Sequence, residues 1–213
     1  MPQPPCHIRL EFRFPDEGSD APLIVARRLP GDEIARIATD EKCPHLPLPD
    51  NSVTSIDARD AIEHGHDEQA WLAELARVLV PGGELVVRVP LDNGMAWLDA
   101  LNIYRYLSDL AGRGSENPPL ETLPTGWHRH YRVDDLTGLV EEAGFEIRAV
   151  EAEGLPLGEL GHLAGLIASG FTSDAAASQR QLFNFRERLH HRPLMPLPRS
   201  LAGRITIRAT KRR

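Results

Sequence analysis

Leu46-Pro47-Leu48-Pro49-Asp50-Asn51-Ser52-Val53 opens the stretch 46–90, and the reading of that stretch decides the fold. Prolines at 47 and 49 keep its start out of any helix interior. Residues 53–58 read as a buried strand. Asp67-Glu68 then opens a helix, with acidic side chains where the helix dipole favours them. Trp71, Leu72, Leu75, Val78 and Leu79 form its apolar face. Pro81-Gly82-Gly83 stops the helix and permits a tight turn. Leu85-Val86-Val87-Arg88-Val89 follows as a second strand. Strand, helix, turn and strand in that order predict one unit of a parallel α/β sheet.

Toward the N-terminus, residues 7–14 alternate. Ile8, Leu10, Phe12 and Phe14 are apolar, and His7, Arg9, Glu11 and Arg13 are polar. Period two predicts a strand with one buried face. The cluster Pro15-Asp16-Glu17-Gly18-Ser19-Asp20 predicts a turn. Residues 23–26 and 34–39 predict two more strands, separated by Pro30-Gly31-Asp32. Toward the C-terminus, 95–110 predicts a helix and 112–126 a loop. Residues 134–143 predict a helix, with Leu136, Leu139 and Val140 inward and Gly144 just past its end. Residues 145–150 predict a strand, 157–168 and 175–190 two helices, and 204–209 a last strand carrying Ile205 and Ile207.

The chain has 213 residues, 41% of them hydrophobic, and a net charge of −7. That length suits a single domain, and the acidic balance argues against a general nucleic-acid or anionic-membrane surface. Lys211-Arg212-Arg213 is a local basic exception. Cys6 and Cys43 form no metal-ligand cluster, so no metal site is expected, and they fit a reducing compartment, with one disulfide as the alternative. No apolar run has the roughly 18 residues that a membrane helix needs, so the expected location is the cytoplasm.

Four ordered motifs carry a resemblance. Leu46-Pro47-Leu48-Pro49-Asp50-Asn51-Ser52-Val53 is followed by Ile62-Glu63-His64, then by Glu74-Leu75-Ala76-Arg77-Val78-Leu79-Val80-Pro81-Gly82-Gly83. Further on come His130-Tyr131-Arg132-Val133-Asp134-Asp135-Leu136 and Glu141-Glu142-Ala143-Gly144-Phe145. The series resembles the class I S-adenosylmethionine-dependent methyltransferases, type 11-like, over about residues 34–151. The resemblance implies a Rossmann-like three-layer α/β sandwich across 1–213. Its sheet would be mostly parallel and seven-stranded, with one antiparallel strand. Helical inserts at about 91–130 and 154–200 would cap the carboxyl edge.

The resemblance also implies S-adenosylmethionine as cofactor and a small molecule or glycan precursor as methyl acceptor. The family's glycine turn, Gly-x-Gly-x-Gly, is absent after the first strand, where Arg13-Phe14-Pro15-Asp16-Glu17-Gly18 stands instead. Gly18 is the one glycine there, and Pro15 removes an N–H donor. About eight residues separate Phe14 from the next apolar run, too few for turn and helix together. Asp32 and Glu33 are the nearest counterparts of the acid that would grip the ribose. The alternative reading is therefore a catalytically inactive, pseudoenzyme-like member that binds a protein partner or regulates one.

Cofactor contacts implied by the resemblance fall at Glu11, Phe14, Gly18, Asp40, Ala58 and Arg59. Asp40 would accept from the adenine amino group, or is a solvated loop acid. Arg59 would pair a ligand carboxylate, or bridges to Asp60. Asp57 is unusual inside a strand, since a strand interior excludes an unpaired carboxylate. His64 and His128 are the candidate general bases. Against these roles stand a helix-entry histidine bonded to backbone and, for Trp127, His128, His130 and Tyr131, a loop anchor. Arg186, Arg188, His190, His191 and Arg192 form a basic strip that suits an anionic substrate, an acidic partner or a helix dipole.

Overall fold

A computed structural model describes residues 6–13, 23–93, 103, 129–153 and 202–213. Of the expected helix at 95–110 only residue 103 is described, and it is helical; the expected helices at 157–168 and 175–190 lie outside the described residues. Seven strands form one sheet: β1 (His7–Arg13), β2 (Leu23–Arg28), β3 (Asp32–Ala38), β4 (Val53–Arg59), β5 (Leu79–Pro90), β6 (Phe145–Glu153) and β7 (Arg204–Lys211). Two α-helices are described, α1 (Glu68–Val78) and α2 (Val133–Glu142), with a 3₁₀ turn at Ile62–His64. The strand order is β3-β2-β1-β4-β5-β7-β6.

Neighbours β1 and β4 are parallel, and so are β4 and β5. β7 runs antiparallel between β5 and β6, as the late terminal strand predicts. β2 is also reversed, being antiparallel to both β1 and β3. Five of the seven strands thus share one direction, and β2 joins β7 as a second reversed strand. The register explains the reversal. Arg13 faces Leu23 and Ile8 faces Arg28, so β1 and β2 pair as a hairpin. β2 and β3 are joined by the short turn at 29–31, which leaves no room for a crossover helix.

Alternation gives the sheet one apolar face. A buried row crosses it as Ala26, Leu10, Ala58, Val87 and Ile207, with Val150 at the far strand. Trp71, Leu72, Leu75 and Val78 of α1 and Leu136 and Val140 of α2 join this row in one core cluster. Each such side chain contributes about 1.5–3 kcal/mol on full burial.

Asp67 caps α1 by accepting from the Ala70 N–H at 3.0 Å. The helix ends at Val78, before the Pro-Gly-Gly stop, because Leu79 is already extended and paired with Val53. A Cβ on Gly83 would sit 2.8 Å from the Leu79 side chain and 2.9 Å from the Val80 carbonyl, so only glycine fits this turn. Gly144 follows α2 at φ 94°, a left-handed conformation that suits glycine after a helix.

The Leu-Pro-Leu-Pro-Asp segment is anchored by α1. Glu74 accepts from the Leu46 N–H at 2.6 Å. Arg77 donates to the carbonyls of Leu46 and Leu48, both at 3.0 Å, and to Asp50 at 2.6 Å. Two bonds between Arg77 and Glu74, each 2.7 Å, lock the pair. The Glu-Leu-Ala-Arg of the helix and the proline segment are therefore two halves of one clamp. Among the described residues, no helix is long and apolar enough to cross a membrane.

Candidate functional site

The carboxyl ends of β4, β5 and β6 and the start of β7 meet at one edge of the sheet, where open α/β sheets bind ligands. β4 ends at Arg59, and Asp60 follows with φ 51°, a left-handed conformation uncommon outside glycine. Its N–H bonds the Arg88 carbonyl at 2.8 Å. Its carboxylate accepts from Arg88 Nε at 2.8 Å and pairs with the Arg204 guanidinium. Arg88 also lies 3.9 Å from Glu153, which accepts from Thr206 at 2.6 Å. Asp60, Arg88 and Arg204 are all buried. Burial pulls Arg204 down to about 10, which still leaves it charged at neutral pH beside Asp60. This ionic cluster ties four strand ends together.

Beside it the chain turns inward. Glu63 and His64 are buried, 2% and 5% exposed. The His64 ring stacks on Phe12 of β1, with centroids 3.9 Å apart and planes 27° from parallel. Nε2 of His64 lies 3.9 Å from Glu63 Oε1. Gly65 lets the chain pass the indole of Trp71, since a Cβ there would fall 2.4 Å from Trp71 Nε1. Arg129 closes the rim by binding Glu68 at 2.5 Å and the Tyr131 hydroxyl at 3.4 Å. Burial pushes the Tyr131 hydroxyl well above its ordinary value, against the pull of Arg129. The arrangement can fix side chains in place. It leaves the imidazole enclosed by Phe12 and Glu63.

The sequence-predicted residues divide by face and by edge. Ala58 is fully buried on the apolar face. Arg59 is on the opposite face, 2.9 Å from Asp57 rather than bonded to Asp60. Asp57 also lies 3.8 Å from Arg9, so the unusual strand carboxylate has two arginine partners. Glu11 shares that face and is held by Arg13 at 3.2 Å and Arg27 at 3.3 Å. Asp40 is exposed in the turn after β3, at the carboxyl edge. Asp32 and Glu33 begin β3 at the other edge, because β2 runs backward and delivers them there. Phe14, Gly18 and His128 lie outside the described residues, as do Trp127 and the basic strip at 186–192.

The structure brings His64 and Glu63 together with Phe12, and Glu11 with Arg27. Of the candidate cofactor residues that are described, Glu11 and Arg59 lie on one face of the sheet, Ala58 on the other and Asp40 in the turn after β3. An open groove of about 480 Å³ lined by Gly82, Glu146, Arg148 and Thr210 sits at the amino edge, away from all of them. Sequence reasoning missed Arg88, Arg204 and Glu153. A charged residue inside the apolar run 85–89 is the signal that marks Arg88. Arg204 and Glu153 become partners only through the β5-β7-β6 register.

Residues 19–87 match a family profile described as Methyltransferase domain. A probable S-adenosylmethionine-dependent methyltransferase of Mycolicibacterium smegmatis is 32% identical over 102 residues, which cover 48% of this chain and 32% of that protein. The chain thus spans about a third of the length of this curated relative. Among solved structures, the cyclase SpnF is 20% identical with a TM-score of 0.44, covering 78% of this chain and 52% of its own. An S-adenosylmethionine-dependent methyltransferase of Thermotoga maritima, titled a possible histamine N-methyltransferase, is 18% identical with a TM-score of 0.44, covering 79% and 60%.

Over residues 19–87 the chain is similar to a methyltransferase domain, and its motif series resembles the S-adenosylmethionine-dependent methyltransferases.

Proposed function

We propose that this chain keeps the methyltransferase sheet without a working adenosyl cradle, and serves as a partner-binding or regulatory subunit. The observation that carries the reading is the reversed β2. The resemblance asks for a glycine turn after strand one and an acid at the end of strand two, both at the carboxyl edge. Here the end of β2, with Asp32 and Glu33 beyond it, lies at the amino edge. At the carboxyl edge β1 presents Phe12, which stacks on His64. Glu11 is already bonded to two arginines. These residues do not fit S-adenosylmethionine, so no methyl-transfer step is built from them.

The rival reading is methyl transfer from S-adenosylmethionine to a small molecule or glycan precursor. Its support is Asp40, an exposed carboxylate at the correct edge. Calorimetry with S-adenosylmethionine and S-adenosylhomocysteine separates the two. The proposal expects no saturable heat and no thermal shift at millimolar ligand. Stoichiometric binding, or methylation of any acceptor, sinks it in favour of the rival.

A further inference from the structure

The basic run Lys211-Arg212-Arg213 closes β7 and continues past it at the amino edge of the sheet. Its backbone is fixed there, because the Arg212 N–H donates to the Gly144 carbonyl at 2.9 Å, just past α2. With Arg148 of β6, the three basic residues line the open groove of about 480 Å³ at that edge. Gly82, at φ 79°, lines it without a side chain. Thr210 lines it between Glu84 of β5 and Glu146 of β6, its partners on the two neighbouring strands.

Four cationic side chains, Arg148, Lys211, Arg212 and Arg213, line this groove against one carboxylate, Glu146. That carboxylate is taken by Arg148 at 2.8 Å. Arg148 also donates from Nε to the Thr210 hydroxyl at 3.1 Å, and its Nη2 has no acceptor among the described residues. Lys211 Nζ donates to the Leu79 carbonyl at 2.8 Å and to Asn51 Oδ1 at 2.7 Å. Both acceptors are neutral, so they orient the ammonium without neutralising it. Among the described residues, no carboxylate side chain lies within ion-pair distance of Lys211, Arg212 or Arg213. Arg148, Arg212 and Arg213 are exposed. Three uncompensated positive charges thus meet in one concavity of a chain whose net charge is −7.

We propose that this groove binds a small phosphate-bearing molecule. Guanidinium forks and an ammonium match phosphate oxygens, and three uncompensated cations balance a pyrophosphate group better than a single carboxylate. The groove has the volume of a small-molecule site. Its borders argue against a long polyanion. Glu84 and Glu146 stand on either side of Thr210, and Glu141 and Glu142 finish α2 just before the Gly144 that holds Arg212. A nucleic acid or a long acidic segment crossing the groove would run onto these carboxylates, whereas a compact anion would not. The site is independent of the reading above, because it lies at the end of the strands opposite the carboxyl edge.

The test uses the full chain and sodium pyrophosphate, followed by calorimetry at low and raised salt and by amide shifts in nuclear magnetic resonance. One-to-one binding that weakens with salt is expected, with shifts at Gly82, Thr210, Lys211 and Arg212. Arg212→Gln with Arg213→Gln should weaken it by about tenfold. Both side chains are exposed, so the double variant should keep its fold. Arg9→Gln, on β1 and three strands from β7, should leave binding unchanged. No saturable heat at millimolar pyrophosphate and low salt overturns the proposal, as does undiminished binding by the double variant. Shifts confined to Phe12, His64 and Asp40 at the carboxyl edge overturn it too. Tighter binding of a short DNA duplex or of poly-L-glutamate through Arg212 and Arg213 also overturns it, since the occupant would then be a macromolecule.

Discussion

The imidazole of His64 lies flat against Phe12, 3.9 Å between ring centroids, where the first parallel strands open toward their carboxyl ends. One ring comes from β1 and the other from the turn after β4, so the contact joins two strands at the edge where a cofactor would enter. A stacked pair contributes about 0.5–1.5 kcal/mol beyond its buried area. Phe12→Ala should therefore cost about 3–5 kcal/mol, read from urea unfolding. His64→Ala should cost less in the double mutant than alone, because the partner ring has already gone. Strict additivity would show that the rings are not coupled.

The clamp between Glu74 and Arg77 predicts an acid-sensitive fold. Burial alone would raise the Glu74 carboxyl. Arg77 and the Leu46 N–H outweigh it and hold the group below its ordinary 4.5. A carboxyl depressed in the folded state stabilises fully above its unfolded value, and that stabilisation is lost as pH falls through the folded value. Glu74→Gln should lower the urea midpoint at neutral pH and flatten the acid side of the stability profile. An unchanged acid limb would remove Glu74 from the account.

Asp60 is the shared acceptor of two buried arginines. Asp60→Asn tolerates the left-handed backbone but removes the charge. Leaving Arg88 and Arg204 uncompensated should cost about 3–5 kcal/mol. Thermal unfolding measures it, and a loss below about 1 kcal/mol would mean that solvent already supports both guanidinium groups.

Gly65 is required by Trp71. Gly65→Ala places a methyl group against the indole, 2.4 Å from Nε1 in the present geometry. The expected cost is about 1–3 kcal/mol, with a shift in tryptophan emission as the ring is displaced. Normal stability with unchanged emission would contradict the packing described.

Much of this architecture is legible in the sequence because its signals are local. Alternation in 7–13, the acidic helix start at Asp67 and Gly144 each act within a few residues. They mark elements that the structure contains. The direction of β2 was not legible. The run 23–26 looks the same in either direction, and only the brevity of the 14–22 connection hints at a hairpin. Asp32 and Glu33, the nearest candidates for the ribose acid, begin β3 at the amino edge for that reason, since a reversed strand carries its end to the opposite edge. The ion pairs around Asp57 and Glu11 stayed hidden for a related reason. Arg27, Arg9 and Asp57 become neighbours only once the β2-β1-β4 register is known.

The reversal of β2 carries the proposed non-catalytic reading, and nuclear magnetic resonance tests it directly. Cross-strand proton contacts should link Arg9 with Arg27, Glu11 with Val25 and Arg13 with Leu23, moving down β2 as they move up β1. Contacts that advance along both strands together would mean a parallel β2. The cofactor acid would then stand at the carboxyl edge, and the non-catalytic account would fall.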